Sequence, residues 1–120
     1  MSLTPEQILE VAVKSIDDRQ AEDIMALDVR QISILADYFV VCHGTSNRQI
    51  QALSNGLIRD AQEAGIEVKN VEGKESTSWT LVDLGDVIVH IFSEEDRSFY
   101  NLEKLWTDAD LVNIAPMIAG

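Results

Sequence analysis

The 120-residue sequence predicts one α/β domain, in which a mixed five-stranded sheet is flanked by helices. Runs with strand character alternate with runs whose apolar residues recur at helical spacing, which is typical of this fold class. The strand–helix–strand order favours some parallel pairing, whereas the two-residue loop Gly85-Asp86 predicts one antiparallel hairpin. The sheet is therefore expected to be mixed.

The first half of the chain predicts two helices and two strands. Thr4-Pro5 starts a helix, because the hydroxyl can cap it and Gln7 can complete a capping box. Strands are predicted over residues 23–29 and 37–43. The loop between them carries three large apolar residues, so we expect it to pack on something: Ile32, Ile34 and Leu35. A second helix opens after Gly44-Thr45-Ser46 and closes at Gly65.

The second half predicts three strands and one more helix. The strands cover residues 67–72, 79–84 and 87–92, and Gly85 at the first loop position suits a type II′ turn. The last strand is apolar on both faces except at His90, so we expect it to be central. Apolar residues between Phe99 and Trp106 then recur at three and four, which predicts an amphipathic helix. Residues 107–120 form a tail without an assigned structure.

The charge balance limits the partners. Nine Lys and Arg stand against 21 Asp and Glu, a net charge of -12, which repels phosphate backbones and favours a basic protein surface. Direct nucleic-acid binding is therefore not expected. Acidity also keeps an ordinary protein in solution, and charge alone favours that simpler interpretation.

The other bulk features predict a cytoplasmic protein. No apolar run is long enough to cross a membrane, and no signal peptide precedes the first helix. The single cysteine, Cys42, fits a reducing compartment.

No residue pattern predicts catalysis, a cofactor or a metal. The Gly44-Thr45-Ser46 turn lacks the repeated glycines of a dinucleotide site and the lysine of a P-loop, so a helix cap is the simpler interpretation. It is reminiscent of nucleotidyltransferases, but the expected pair of metal-binding acids on the next strand is missing. His90 and His43 lie on different strands, and a lone sheet histidine is usually structural.

The aromatic residues near the hairpin favour a binding surface. Trp79, Tyr100 and Trp106 accompany Arg97 in this region, and Trp, Tyr and Arg dominate the energetics of protein interfaces. Both tryptophans could equally be core anchors between sheet and helix, since the two kinds of anchor look alike in sequence.

These residues also carry a resemblance to a known family. Four short matches are Ala26-Leu27-Asp28-Val29, Ala36-Asp37-Tyr38-Phe39, Gly44-Thr45-Ser46-Asn47-Arg48-Gln49 and Val71-Glu72-Gly73. The most specific is Trp79-X-Leu-Val-Asp-Leu-Gly-Asp-Val-Ile-Val-His, followed by Arg97-X-X-Tyr100-X-Leu-Glu-X-Leu-Trp106. The chain resembles the ribosomal silencing factors, also called the Iojap family. His43 and Gln49 depart from the pattern of that family.

The resemblance implies a nucleotidyltransferase-like fold without transferase activity. It implies binding to the large ribosomal subunit through its basic protein L-fourteen, which blocks subunit joining and damps translation when nutrients are short. It also implies a homodimer when the protein is free. Residues 1–106 correspond to the family domain, and no role carries over to the tail 107–120.

We expect the contact surface to lie around the hairpin and the helix that follows it. Its main candidates are Trp79, Asp83, Arg97, Tyr100, Glu103 and Trp106. Weaker candidates, which would orient loops, are Asp37, Arg48, Glu72 and His90. Two other interpretations remain open at this point: a nucleotide-binding enzyme that uses the Gly44–Ser46 turn, and a scaffold whose aromatic surface serves self-association only.

Overall fold

A computed structural model describes residues 3–73, 79–93 and 109–118. Two helices and six strands follow one another in the order α1 (Pro5–Asp18), β1 (Glu22–Asp28), β2 (Tyr38–Gly44), α2 (Asn47–Glu63), β3 (Asn70–Glu72), β4 (Trp79–Asp83), β5 (Val87–Ser93) and β6 (Asp110–Val112). A short 3₁₀ turn, Ala115–Met117, follows β6. Within these residues, no helix is long and apolar enough to cross a membrane.

The six strands form one mixed sheet in the order β3-β4-β5-β2-β1-β6. Strands β2 and β5 pair in parallel, and every other pair is antiparallel. The predicted mixed α/β class is confirmed. The sixth strand was not predicted, because β6 has only three residues and pairs with Ala26–Asp28, too short a run to show a period.

Both predicted helix starts are confirmed. Thr4 accepts a hydrogen bond from the backbone of Gln7, and the Gln7 side chain accepts one from the backbone of Thr4. Ser46 caps α2 by accepting from the backbone of Gln49. Gly65 ends α2 with a φ of +81°, the left-handed conformation that favours glycine after a helix.

The two helices cover one face of the sheet. Alternate residues of the central strands point into a buried core beneath α1 and α2: Tyr38, Val40, Cys42, Val87, Val89 and Ile91. Strand β5 lies between β4 and β2, so its predicted central position is confirmed. Cys42 packs in this core, as its apolar neighbours predicted.

The hairpin turn joins the amino end of β5 to the start of β2. Gly85 has a φ of +90° and Asp86 a negative one, the signs of the predicted type II′ turn. The backbone N–H groups of Asp37 and Tyr38 both donate to the carbonyl of Asp86, at 2.8 and 3.1 Å. This turn therefore fixes where the loop between β1 and β2 ends.

Three other sequence predictions differ from the structure or lie outside its described part. Strand β3 is shorter than predicted and lies at the sheet edge, where it is mostly exposed. The loop between β1 and β2 was expected to pack, but Ile34 is fully exposed and Leu35 is 75% exposed. The helix predicted between Phe99 and Trp106 lies outside the described residues.

Candidate partner-binding site

Four rings gather on the sheet face opposite α1 and α2. We call Phe39, Trp79, His90 and Phe92 the aromatic cluster. Trp79 pairs with Phe92 across β4 and β5, and the Trp79 ring lies parallel to the His90 ring with centroids 6.0 Å apart. Phe39 meets His90 edge-on at 5.2 Å. The strand register therefore brings together rings that are distant in sequence.

A hydrogen bond inside the cluster joins the two polar rings. The indole Nε1 of Trp79 donates to Nδ1 of His90 at 3.2 Å. Burial lowers the pKa of His90 to about 4, so the imidazole is neutral at pH 7 and its Nδ1 can accept this bond. His90 is therefore a satisfied structural group here, as the sequence suggested for a lone sheet histidine.

Trp79 packs against the aromatic cluster within the chain. Its side chain is half-buried, and its ring lies parallel to the rings of His90 and Phe92. Phe92 beside it is only 2% exposed. Contacts within the chain therefore hold the indole in one orientation.

The acidic candidates lie at two places. The carboxylate of Asp83 accepts a hydrogen bond from the backbone of Gly85 at 2.8 Å, so it stabilises the hairpin turn. Asp37 is half-buried at the start of β2, against the same turn. Glu72 is exposed on the edge strand β3, opposite Leu81.

The structure does not bring all predicted site residues together. Arg48 is exposed in the first turn of α2, beyond the carboxyl end of β2, whereas Asp37 lies at its amino end. The candidates Arg97, Tyr100, Glu103 and Trp106 lie outside the described residues. Trp79 and His90 are in contact, and Asp37 and Asp83 both border the hairpin turn.

The turn before α2 uses its polar groups internally. The backbone and hydroxyl of Thr45 donate to Oε1 of Gln49, at 2.7 and 3.0 Å. Nε2 of Gln49 donates to the carbonyls of Arg19 and Gln20, at 3.4 and 2.8 Å. Gln49 therefore ties the turn to the end of α1. The capping pattern Ser46-X-X-Gln49 was the signal for this role, which sequence analysis missed.

The described part of the chain contains no cluster of side chains that could hold a metal ion. No group of three or more His, Cys, Asp or Glu side chains converges there. His43 lies within 3.5 Å of Glu22, which is a pair and not a metal-ligand set.

A comparison with family models identifies the chain. The model described as ribosomal silencing factor during starvation matches residues 2–119. The chain belongs to this family. The resemblance drawn from the hairpin motif is confirmed, and the match extends past Trp106 into the segment that the sequence set apart as a tail.

Curated relatives agree over nearly the whole length. Ribosomal silencing factor RsfS of Bacillus subtilis is 50% identical over 112 residues, which cover 93% of this chain and 95% of the relative. RsfS of Halalkalibacterium halodurans is 46% identical over 117 residues, 98% of this chain and 100% of the relative. The chloroplastic protein Iojap of Zea mays is 36% identical over 101 residues, 84% of this chain and 44% of the relative.

Solved structures have the same fold. A crystal structure from Bacillus halodurans is 46% identical with a TM-score of 0.81, covering 90% of this chain and 98% of its own. An X-ray structure from Chromobacterium violaceum is 36% identical with a TM-score of 0.84, covering 88% of each chain.

Proposed function

We propose that this protein represses translation by binding the large ribosomal subunit through its basic protein L-fourteen and so blocking joining to the small subunit. The observation that carries the proposal is the match to the ribosomal silencing factor family over residues 2–119. The relatives that share about half of its residues carry the same family name. The hairpin motif, which resembles that of the family, points to L-fourteen as the protein contacted.

The mechanism is steric. A domain bound where the other subunit must dock prevents joining by occupying the space, and it makes or breaks no covalent bond. The neutral, hydrogen-bonded His90 and the internally bonded turn before α2 are consistent with a binding role. The protein would act on the cytoplasmic ribosome and form a homodimer when free.

The charge of the chain supports a protein partner within the ribosome. A net charge of -12 opposes contact with ribosomal RNA and attracts a basic protein surface. Electrostatic attraction speeds encounter, whereas buried aromatic contacts set most of the affinity. We therefore expect the association rate to fall as the salt concentration rises, and the affinity to depend on the tryptophan side chains.

Trp79 is the anchor of the proposed contact within the described residues. Its ring is oriented by His90 and Phe92 before any partner arrives, which lowers the entropy cost of binding. The contact surface would extend to Asp83, Arg97, Tyr100, Glu103 and Trp106. Asp37, Arg48, Glu72 and His90 would help to orient the loops around it.

Co-sedimentation with separated ribosomal subunits, at two salt concentrations, tests this proposal. Wild-type protein is expected with the large subunit alone. Trp79→Ala and Tyr100→Ala should each weaken binding by at least about 2 kcal/mol, roughly 30-fold, if these rings are hot spots. Gln51→Ala, an exposed change on α2 at the other face of the sheet, is the matched control and should bind normally.

The outcomes separate the competing interpretations. A folded preparation that binds neither subunit at low salt would contradict the proposal. Thermal stabilisation by a nucleotide with magnesium would then favour an enzyme that uses the Gly44–Ser46 turn. A stable dimer that ignores ribosomes would instead favour a self-associating scaffold.

A further inference from the structure

The loop between β1 and β2 displays large apolar side chains to solvent. We call residues 30–36 the apolar loop. Ile34 is fully exposed, Leu35 is 75% exposed and Ile32 is 44% exposed. Single exposed apolar residues are common on protein surfaces, but three within four positions form a patch. In the described part of the chain, the only other exposed large hydrophobic residue is Leu111 of β6.

The backbone of the apolar loop is held by its own hydrogen bonds. The N–H groups of Ile32 and Ser33 both donate to the carbonyl of Val29, at 3.0 and 2.8 Å. The N–H of Leu35 donates to the hydroxyl of Ser33 at 3.1 Å. A loop fixed in this way presents its side chains with little ordering left to do, which favours binding.

Acidic residues lie next to both ends of the apolar loop. Asp28 precedes the loop, and Asp110 of β6 pairs with Asp28 of β1. Asp37 follows the loop, and the exposed Asp86 lies beside Asp37 through a backbone hydrogen bond of 2.8 Å. One cleft is lined by Asp28, Arg30, Gln31, Ile32 and Asp110. We call the acidic residues at the two ends of the apolar loop, Asp28, Asp37, Asp86 and Asp110, the acidic border.

The one cation on the loop is bound to one of these acids. Arg30 donates to both carboxylate oxygens of Asp28, with its closest contact at 2.6 Å, and lowers the pKa of that carboxyl. The positive charge of Arg30 offsets the negative charge of Asp28. The carboxylates of Asp37, Asp86 and Asp110 are left without an offsetting cation on the loop. The border thus keeps an attraction for cations at neutral pH.

This combination of charge and apolar surface selects the occupant. Phosphate groups of RNA or of an anionic membrane would be repelled by the border. A second copy of the chain would bring the same carboxylates to a symmetric contact, and like charges oppose it. A protein with an apolar recess bordered by lysine or arginine would avoid both kinds of repulsion, because its charges are opposite to those of the border.

We propose that the apolar loop is a second docking surface, which takes a basic protein surface of the large ribosomal subunit. This inference rests on the proposed function and adds a contact away from the aromatic cluster. The loop adjoins Tyr38, which pairs with Val87 at the start of β5, whereas Trp79 pairs with Phe92 near its end. Val87 and Phe92 are five residue steps apart, which corresponds to roughly 17 Å along the strand. One partner surface, or two adjacent proteins, must span that distance.

The binding test compares variants at the two positions, using the full chain and purified large subunits. The double variant Ile34→Ser with Leu35→Ser should raise the Kd about 10-fold or more, because both anchors are lost. Ile34→Leu keeps apolar area and should stay within about 2-fold of wild type. Asp86→Asn should weaken binding at low salt and have less effect at high salt. Equal unfolding midpoints for all variants establish that folding is unchanged.

A photo-crosslinking residue placed at position 34 identifies what the loop touches. Crosslinks to a basic ribosomal protein are expected. Crosslinks to ribosomal RNA, or to a second copy of this chain in the presence of large subunits, would overturn the inference.

The controls separate this inference from the proposed function. If wild-type protein binds large subunits and the double variant binds equally well, the docking role of the loop is wrong and the proposed function stands. If wild-type protein does not bind, both fall. If the double variant loses only the dimer and keeps subunit binding, the loop serves self-association and the inference is overturned.

Discussion

The aromatic cluster and the apolar loop show opposite relations between residue type and exposure. Trp79 and His90 are residues expected at binding sites, yet they stack on one another and share a hydrogen bond. Ile34 and Leu35 are residues expected in a core, yet they face solvent. Residue type predicts what a side chain can do. Its neighbours in the fold decide whether it does so inside the chain or outside it.

The cause of the difference lies in the backbone. Trp79 and His90 lie on paired strands, and the register of β4 and β5 places Trp79 opposite Phe92. The backbone of the apolar loop is instead bonded to Val29 and Ser33, and Ile34 and Leu35 lie on no strand. Substitutions in the two regions are therefore expected to differ in their effect on the unfolding free energy.

The largest effect is expected at the glycine that approaches the aromatic cluster. Gly73 has a φ of +70°, and a Cβ there would overlap the backbone carbonyl of Trp79. Gly73→Ala should cost about 3 kcal/mol of unfolding free energy by urea denaturation, since strain and a backbone clash add together. Gly65→Ala, with a φ of +81° but no atom within 4 Å, is the matched control and should cost about 1 kcal/mol. Equal costs would show that the approach to Trp79 is not tight.

Lowering the pH should reduce the free energy of unfolding through His90 of the aromatic cluster. The pKa of His90 is about 4 in the fold and about 6.5 in the unfolded chain, so below pH 6.5 the unfolded state takes up a proton first. The contribution of neutral His90 to the unfolding free energy is complete above pH 6.5 and is lost as the pH falls towards 4. Between pH 7 and pH 5 the unfolding free energy should fall by about 1–2 kcal/mol through this residue.

The control for the pH effect is His90→Asn, which keeps an acceptor for Trp79 and removes the titration. The pH profile of unfolding should be flatter for this variant between pH 7 and pH 5. Profiles that run parallel would mean that His90 is protonated as readily in the fold as in the unfolded chain.

A smaller effect is expected when only the hydrogen bond is removed. Trp79→Phe keeps a ring against His90 and Phe92 but leaves Nδ1 of His90 without its indole donor. The loss in unfolding free energy should be about 1 kcal/mol. A cost below the error of denaturant unfolding would argue that water replaces the indole N–H.

The smallest effect is expected in the apolar loop. Ile34 is fully exposed, so Ile34→Ser should change the unfolding free energy by no more than about 0.5 kcal/mol. The same substitution at the fully buried Ile91 should cost several kcal/mol, on the order of a large-to-small change in a core. A large loss at Ile34 would mean that the loop packs on the chain in solution.

The sequence predicted most of the fold because its signals were local. The capping box at Thr4, the Gly65 helix end and the Gly85-Asp86 turn each need only a few adjacent residues, and each is found in the structure. Strand β6 was not predicted and β3 was predicted to start three residues too early, because short edge strands depend on a partner elsewhere in the chain.

The candidate site was harder to predict. The motif placed Trp79 and His90 on neighbouring strands but could not show that they bond to each other. Exposure of Ile34 and the bridging role of Gln49 depend on contacts between distant segments, such as Gln49 with Gln20. The position of a side chain relative to solvent is a property of the packed molecule, and no local pattern in the sequence records it.

The rate at which large and small subunits join is the most direct test of steric silencing. Light scattering follows the association of large and small subunits after the full chain has been added to the large subunit. We expect the joining rate to fall in proportion to the fraction of large subunits occupied, and Trp79→Ala to restore it. Full-rate joining on large subunits saturated with the wild-type protein would contradict steric silencing.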